Sequence, residues 1–580
     1  MIAFFRLLSF IFLLLIIKVN AKDSNANVAA YLNLTTTSEN NLIVSIQNAA
    51  CDKCRLTEIA QINAVEFKVV AMDTRIPYYY FFISNRINSD QYCAELQTSA
   101  LYFGENGTYS LKIFDLNGTF MCVFTTLRQP NNVYEPIYVA LAVFCGAALC
   151  YASAKCFYKR VLKRRMMSGS NADMLNRDLG APILAASSTY LLDETTASNN
   201  NKPSGGKLST RMKSVDVLRG ICLAIMMFAN YGAGDYIFLD HEPWNGLHLA
   251  DTVFPCFIFI MGISIPFSFR SFSAKSSGSI NNRSNDQANA NGSKNILFKI
   301  LKRTVLLFFF GLLTSNASNQ WLADMRIMGV LQRFALSYYF SAILELIYFR
   351  MNGFAYVNPG ESVDDITQEP SRLQRLRLKF IEFFYYPLQW LIVTLVAILW
   401  LVLTFFLAVD GCPTGYLGPG GLHENGSYFN CTGGAAGYID RMVLGARHLY
   451  QYPTCNELYG GILPYDPEGL LGTLNSCILT YLGVSTGHII LHYKSTTHRI
   501  VKFLFYAVLY GLIALILCKF SKNDGWIPIN KNMWSLSFIL AIASISFFSL
   551  TLLYVLVDLK DVYSGTPFLY FCLLYTSRRG

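Results

Sequence analysis

The segment that decides the fold is residues 211–262, which read RMKSVDVLRGICLAIMMFANYGAGDYIFLDHEPWNGLHLADTVFPCFIFIMG. Two apolar runs, 217–238 and 249–268, flank a short polar hairpin that begins at His241, and Asp251 stands at the mouth of the second run. Ionisable groups this close to hydrocarbon are energetically expensive, which makes them candidates for function. The alternative is that the hairpin is only a tight turn shaped by Pro243 and Gly246.

The composition of the whole chain is that of a membrane protein. Its 580 residues are 53% hydrophobic and only 14% charged, whereas soluble domains carry about 25% charged residues. The formal net charge is +10, but the basic residues are concentrated in short segments beside apolar runs, as the positive-inside rule describes. The sequence therefore predicts a polytopic α-helical membrane protein and argues against a nucleic-acid partner.

The N-terminal part predicts export followed by a β domain. Residues 1–21 combine an early Arg6, an apolar core and a polar exit, which is typical of a secretory signal peptide, with an uncleaved anchor as the alternative. Residues 22–136 contain short runs with a period of two, such as LIVSIQ, YYYFFIS and TYSLKIFDL, separated by Asn, Asp and Gly. This pattern predicts a lumenal β-sandwich-like domain.

Cysteines and sequons in this domain agree with an extracytoplasmic location. In a secreted β domain, four cysteines favour two disulfides over metal or redox chemistry. The pairing that we predict is Cys51–Cys54 and Cys93–Cys122. Glycosylation sequons begin at Asn33, Asn106 and Asn117.

The remainder of the chain predicts a cytosolic linker and a bundle of helices. Residues 137–158 are the first span, with a basic block around their end, and residues 159–213 are rich in Ser, Asn and Ala, which predicts a disordered cytosolic linker. Residues 214–560 form a multi-span domain. Counted after the signal peptide, nine apolar spans are predicted, at 137–154, 217–238, 249–268, 298–313, 326–349, 388–409, 469–491, 503–519 and 533–557.

A long loop at 410–468 is predicted to face the lumen. Alternation of the spans places it there, and its sequons at Asn425 and Asn430 independently agree. Loops of this length are usually functional or disordered. Its three cysteines, Cys412, Cys431 and Cys455, leave one without a local partner, which allows a bridge to the β domain.

The polar motifs resemble those of a known family. RMKSVDVLRG, MMFANYGAGDY and HEPWNGLHLADTVFPCFIFIMG are similar to the lysosomal heparan-α-glucosaminide N-acetyltransferase family. The similarity continues through RIMGVLQRFALSYY, GCPTGYLGPGG, NCTGGAAGYIDR, YDPEGLLGTLNS, INKNMWSLSF and SGTPF. It covers nearly all of the membrane region and the long loop, and several motifs exceed ten residues.

The resemblance implies an enzyme that moves acetyl from cytosolic acetyl-CoA to the terminal glucosamine of heparan sulfate in the lysosomal lumen. It implies a multi-pass lysosomal membrane protein, a homodimer and membrane lipid as surroundings. No metal is expected, because no ligand spacing surrounds His423 or His448. By motif, the family's active-site histidine is His241 and the asparagine beside it is Asn230. A histidine can act as general base or as nucleophile through an acetyl-imidazole, and Asn230 can donate to the oxyanion.

Further site residues are expected around these two. Arg219, Gln332 and Arg333 are candidates for binding acetyl-CoA, although Arg219 can equally pair with Asp216 and Arg333 with an acidic group on another helix. Trp244 is a candidate wall for the sugar or for pantetheine, or alternatively an interfacial anchor. Asp251 can orient His241 or cap the span, and the cap is slightly favoured.

The C-terminal residues 561–580 depart from the family pattern. The family has eleven spans, and its similarity to this chain ends near SGTPF, so a shortened C-terminus is expected. Two other functions compete with the acetyltransferase. One is a multi-span transporter without transfer chemistry, and the other is a related membrane acyltransferase with another acceptor.

Overall fold

A computed structural model shows the architecture of the chain. It describes residues 29–161 with short gaps, 212–231, 236–277, 285–316, 322–351, 380–493 and 495–570 with one gap at 561. The predicted signal peptide and nearly all of the cytosolic linker lie outside the described residues, as do Cys93 and Asn117.

Two β-sheets form the N-terminal domain, as the alternating pattern predicts. One sheet has the order β4-β1-β8-β9, in which β1 and β8 run parallel, and the other has the order β3-β2-β5-β6 with β7 paired to β5. The apolar residues of both sheets face one shared core that includes Leu32, Ile83 and Leu111, all fully buried. The strands are β1 Ala29–Thr36, β2 Leu42–Asn48, β3 Thr57–Ile62, β4 Phe67–Asp73, β5 Tyr78–Asn85, β6 Asn88–Tyr92, β7 Leu101–Tyr102, β8 Thr108–Leu116 and β9 Thr119–Arg128.

Helices and the loops that join them make up the rest of the described chain, preceded by a short apolar helical stretch at Glu135–Ala147. They are α1 Lys213–Asn230, α2 Leu249–Ser277, α3 Asn285–Ser315, α4 Val330–Met351, α5 Ile381–Phe384, α6 Pro387–Phe406, α7 Gly434–Leu444, α8 Cys455–Tyr459, α9 Leu470–His492, α10 Thr496–Leu517 and α11 Leu536–Leu553. Six of them are long and apolar enough to cross a membrane, namely α2, α4, α6, α9, α10 and α11 with its extension to Leu559.

The two remaining predicted spans of the bundle are helical but more polar. Helix α1 carries Lys213, Asp216 and Arg219 in its first turns, and α3 carries three basic residues within its apolar part. Helix α1 also ends at Asn230, earlier than the predicted span 217–238. The sequence that follows contains Gly232 and Gly234, and glycine is a poor helix former.

Helix α9 is the central element of the bundle. Its most apolar window is 94% buried, whereas those of α6 and α10 are 22% buried and so remain available to lipid. It packs closely on α2, where Gly262 and Gly483 face each other and a Cβ on either would lie 2.1–2.2 Å from a carbonyl oxygen of the other helix. Small residues at such crossings allow the close packing that holds membrane helices together.

The long loop is folded and joins the β domain to the bundle. It contains α7, α8 and a Cys412–Cys431 disulfide, while Cys455 is a buried free thiol. The β domain contacts the loop through the turn closed by the Cys51–Cys54 disulfide, where the Arg55 N–H donates to Leu422 O at 3.1 Å. The bridge between loop and β domain that the odd cysteine allows is therefore absent from the described residues, and the contact is noncovalent.

Candidate active site

The hairpin between α1 and α2 holds His241 against the start of α2. The chain passes from a 3₁₀ turn at Ile237–Leu239 to His241, and α2 begins at Leu249. The side chain of Asp251 accepts hydrogen bonds through Oδ2 from the N–H groups of His248 and Glu242, each at 3.1 Å. The first of these is the reach-back bond of a capping box, which satisfies an otherwise unpaired N–H at the helix start.

Asp251 also contacts the imidazole of His241. Its Oδ1 lies 2.8 Å from Nδ1, and the Asp251 side chain is fully buried while that of His241 is 36% exposed. The two roles considered for Asp251, orienting His241 and capping the helix, are both present because its two oxygens serve different partners. A buried carboxylate favours a proton on Nδ1, which leaves the lone pair of Nε2 for chemistry.

Lys531 is a third member of this cluster that sequence reasoning did not identify. Its Nζ lies 2.8 Å from His241 Nδ1 and 3.2 Å from Asp251 Oδ1. Nδ1 cannot both donate to Asp251 and accept from Lys531. When Nδ1 carries the proton, the Lys531 ammonium group therefore donates to the Asp251 carboxylate. The motif INKNMWSLSF contains Lys531, but nothing in its spacing shows that it folds back onto the histidine.

Several hydrogen bonds join the loop between α10 and α11 to the hairpin. Gly246 N–H donates to Ile529 O at 2.8 Å. Asn245 Oδ1 accepts from the Asn530 amide at 3.0 Å, and the Asn245 amide donates to Asn523 Oδ1 at 3.1 Å. These contacts hold Lys531 beside His241. They also explain why the hairpin is more than a tight turn.

A second charged cluster lies next to the first. Glu242 binds the Lys522 ammonium through Oε1 and His248 Nε2 through Oε2, the latter at 2.7 Å. Burial alone would raise the pKa of Glu242, but the hydrogen bonds from His248 and Lys522 outweigh burial and hold that pKa below its usual range. The hydrogen bond to Glu242 in turn raises the pKa of His248.

An exposed ledge of lysine and aromatic side chains continues from this cluster. We call it the 519–526 ledge; it consists of Lys519, Lys522 and Trp526. Lys519 Nζ lies 4.8 Å from the centroid of the Trp526 ring, which is 61% exposed. Lys519 and Phe520 both have positive φ angles, of 51° and 55°, and such backbone strain is concentrated at functional sites.

Two other predicted site residues, Asn230 and Trp244, differ in their exposure to solvent. Asn230 is the exposed last residue of α1, and the described residues include no hydrogen-bond partner for its amide. Trp244 is only 2% exposed, and its Nε1 donates to Leu417 O at 2.9 Å, so it packs under the long loop rather than at a lipid interface.

The three predicted acetyl-CoA residues differ in their availability. Arg219 is paired with Asp216 at 3.2 Å. Arg333 is fully buried, donates to Gly469 O at 3.0 Å and lies over the Trp534 ring, but its Nη1 has no partner among the described residues. Neither amide atom of buried Gln332 has a described partner either.

Of the predicted glycosylation sites within the described residues, Asn425 and Asn430 are exposed in the long loop, whereas Asn33 and Asn106 are partly buried. Cys122 is disulfide-bonded, and its predicted partner Cys93 is one of the residues not described. Among the described residues, no group of three or more His, Cys, Asp or Glu side chains could hold a metal ion.

Comparison with known proteins identifies relatives of the chain. No family model matches it. It is 38% identical over 487 residues to heparan-α-glucosaminide N-acetyltransferase of Homo sapiens, an alignment that covers 81% of this chain and 67% of that protein. It is 37% identical over 486 residues to the Mus musculus protein of the same name, with 81% and 68% coverage. The chain, a multi-pass membrane protein, therefore belongs to the heparan-α-glucosaminide N-acetyltransferase family.

Proposed function

We propose that this chain transfers the acetyl group of cytosolic acetyl-CoA to the terminal α-glucosamine of heparan sulfate in the lysosomal lumen, so that degradation of the polymer can continue. The observation that carries the proposal is the buried Asp251 carboxylate 2.8 Å from Nδ1 of the accessible His241, which stands just before the start of α2. Family membership supplies the substrates.

His241 provides the atom that acts on the reactants. With Nδ1 protonated and held by Asp251, the lone pair of Nε2 is available to accept a proton or to attack a carbonyl. In direct transfer, the glucosamine nitrogen forms the C–N bond to the acetyl carbon while its proton passes to Nε2. The C–S bond then breaks, and the imidazolium returns the proton to the thiolate of CoA. Such proton transfer contributes about 10²- to 10⁴-fold in rate.

A covalent route uses the same lone pair. Nε2 attacks the thioester carbonyl, the C–S bond breaks, and CoA leaves as its thiolate. The amine then attacks the acetyl-imidazolium, the bond from the acetyl carbon to Nε2 breaks, and the amine proton passes to the freed Nε2. In both routes Asp251 stabilises the positive charge that develops on the ring, and Lys531 balances the carboxylate in the resting state. We assign Asn230 as donor to the oxyanion, because its amide is exposed and not engaged in a described hydrogen bond.

The buried polar atoms at the start of α4 suit part of the donor substrate. Gln332 and Arg333 Nη1 lack described partners in the bundle interior, where an unpaired polar group costs about 1–3 kcal/mol. Amide groups such as those of the pantetheine arm would satisfy them. Arg219 fits this purpose less well, because Asp216 already neutralises it.

On the acceptor side, the 519–526 ledge suits a sulfated sugar. Lysine side chains attract sulfate and carboxylate groups, and the exposed Trp526 ring offers an apolar face to a pyranose. Trp244 is buried, and its ring packs 5.6 Å from that of Tyr465. A lysosomal location and a homodimeric assembly within the lipid bilayer belong to the same proposal and rest on the family.

The experiment that tests the proposal supplies labelled acetyl-CoA to membranes that contain the full chain. Acceptors should include a glucosaminide, a simple amine and an unrelated sugar alcohol. We expect label on the glucosaminide amine, lost in His241→Ala and retained in His498→Ala, an exposed histidine at the start of α10. Label on a different acceptor would support another acyltransferase. Transport of substrate that survives His241→Ala, without any acetyl transfer, would support a transporter.

A further inference from the structure

A cleft lined by both polar and apolar side chains lies between α2, α3 and α4, far from His241. It has a volume of about 200 Å³, and among the residues that line it are Ser264, Ser268, Phe272, Lys299, Arg303 and Tyr338. Ser268 is 17 residues beyond Asp251 along α2, which corresponds to about 26 Å at 1.5 Å per residue. Because the hydrocarbon core is about 30 Å thick, the cleft opens near the opposite membrane face.

The two cations of the cleft stand against aromatic rings. Lys299 Nζ lies 5.0 Å from the Phe272 ring centroid, and the Arg303 guanidinium lies 4.4 Å from that of Tyr338. Neither cation forms an ion pair with a carboxylate in the described part of the chain. A spacing of four residues puts Lys299 and Arg303 on the same face of α3. Both positive charges therefore line the same cleft.

Hydrogen-bond donors in the cleft favour an anion. The guanidinium, the ammonium and the Tyr338 hydroxyl can all donate, whereas the Ser264 and Ser268 hydroxyls donate to the backbone of α2, at 2.6 and 3.1 Å. No carboxylate is among the lining residues. Arginine and lysine beside a tyrosine hydroxyl suit the oxygens of a phosphate group.

We propose that this cleft binds a phosphate group of a ligand that enters from the cytosolic side. Two sources have this chemistry: the nucleotide phosphates of CoA and the headgroup of an anionic phospholipid. A volume of about 200 Å³ is below the size of an ordinary small-molecule pocket, about 300–1,000 Å³, so only the phosphate-bearing part is held. The CoA source rests on the proposed function, while the lipid source is independent of it.

The test uses the full chain in nanodiscs of neutral phosphatidylcholine. Binding of CoA is measured directly and through the unfolding temperature, with phosphate-free pantetheine as the comparison ligand. A second series adds phosphatidylinositol phosphate to the nanodiscs and omits CoA. The variants are Arg303→Glu and Lys299→Gln, and the matched control is Lys302→Glu, an exposed charge change on the same helix that does not line the cleft.

If CoA supplies the phosphate, the Kd for CoA rises about tenfold or more in Arg303→Glu, as expected for the loss of a charge-assisted hydrogen bond. The Kd for CoA hardly changes in Lys302→Glu. If lipid supplies it, the rise in unfolding temperature caused by the anionic lipid disappears in Arg303→Glu and persists in Lys302→Glu. Should Arg303→Glu unfold without ligand, Lys299→Gln carries the same comparison.

The proposal is overturned if neither probe distinguishes the cleft variants from Lys302→Glu. Acetyl transfer measured in the same nanodiscs keeps the two proposals separate. Transfer by the wild-type chain with unchanged CoA and lipid responses would reject only the cleft. Absence of transfer by the wild-type chain would count against the proposed function, whatever the cleft binds.

Discussion

Nδ1 of His241 lies 2.8 Å from Oδ1 of Asp251, and the carboxylate is fully buried while the imidazole is partly exposed. This relationship determines which ring nitrogen is available for chemistry. We predict that Asp251→Asn lowers kcat by about 10²- to 10⁴-fold. The amide oxygen can still accept from the N–H groups of His248 and Glu242, but its NH₂ then faces Nδ1 and favours the opposite tautomer.

Acetyl transfer and thermal unfolding should both be measured for Asp251→Asn. We expect a small change in the unfolding temperature and a large loss of kcat. Near-normal turnover in a folded variant would show that Asp251 acts only as a helix cap.

The 519–526 ledge is predicted to select sulfated acceptors. In Lys519→Ala and Trp526→Ala, the ratio of kcat/KM for a sulfated glucosaminide over an unsulfated one should fall several-fold, because the charge and ring that contact the sulfated part are lost. The preference for the sulfated acceptor should also weaken with added salt, since exposed charges are screened. Lys112→Ala, an exposed lysine of β8, is the control. An unchanged ratio in both ledge variants would reject this role.

The Glu242–His248 pair predicts a pH window for stability. Its hydrogen bond raises the pKa of His248, so this contribution is present in acid and is lost as the pH rises through the folded-state pKa. The pKa of Glu242 is lowered, so its contribution is lost only as the pH falls below the usual carboxyl range. The unfolding temperature should therefore decline from pH 6 to pH 8, and this decline should be smaller in His248→Gln. An identical decline in the variant would contradict the assignment.

Ionisation of the buried Asp440 carboxyl is predicted to lower the free energy of unfolding at neutral pH. Burial raises the pKa of its carboxyl to about 7, although Oδ1 accepts the Leu470 N–H at 2.8 Å. The folded state holds the proton more tightly than the unfolded state, so stability falls as the pH rises towards 7. Asp440→Asn keeps the acceptor, and it should raise the unfolding temperature more at pH 8 than at pH 5.

The comparison for Asp440→Asn is Asp466→Asn. Asp466 accepts two hydrogen bonds from Arg326, at 2.7 and 2.8 Å, so loss of its charge should lower the unfolding temperature at pH 8. If Asp440→Asn were as destabilising at pH 8 as Asp466→Asn, the Asp440 carboxylate would be required in its charged form.

Local patterns predicted the architecture well. Apolar runs located the six membrane-length helices to within a few residues at most ends, and alternation located β2, β4, β5, β8 and β9. Strands β3 and β6 are polar and short, so periodicity does not reveal them. The early end of α1 depends on helix propensity around Gly232, which an apolar run conceals.

Contacts within the candidate site could be predicted from the sequence only where both partners lie in one short segment. His241 and Asp251 lie ten residues apart, so the hairpin places them together by itself. Lys531 and Lys522 reach the site across about 280 residues, through hydrogen bonds such as Asn245 to Asn530. No local pattern encodes such a contact. The burial of Trp244 could not be predicted either, because its hydrogen-bond partner Leu417 belongs to the long loop, which is distant in sequence.

The most direct test of the central claim is acetyl transfer across sealed vesicles, with labelled acetyl-CoA outside and a glucosaminide inside. The cytosolic face of the chain must be outward. We expect label on the enclosed amine with the wild-type chain and with His498→Ala. With His241→Ala we expect less than about 1% of that rate, given the contribution of acid–base catalysis. Transfer by folded His241→Ala at the wild-type rate would contradict the account.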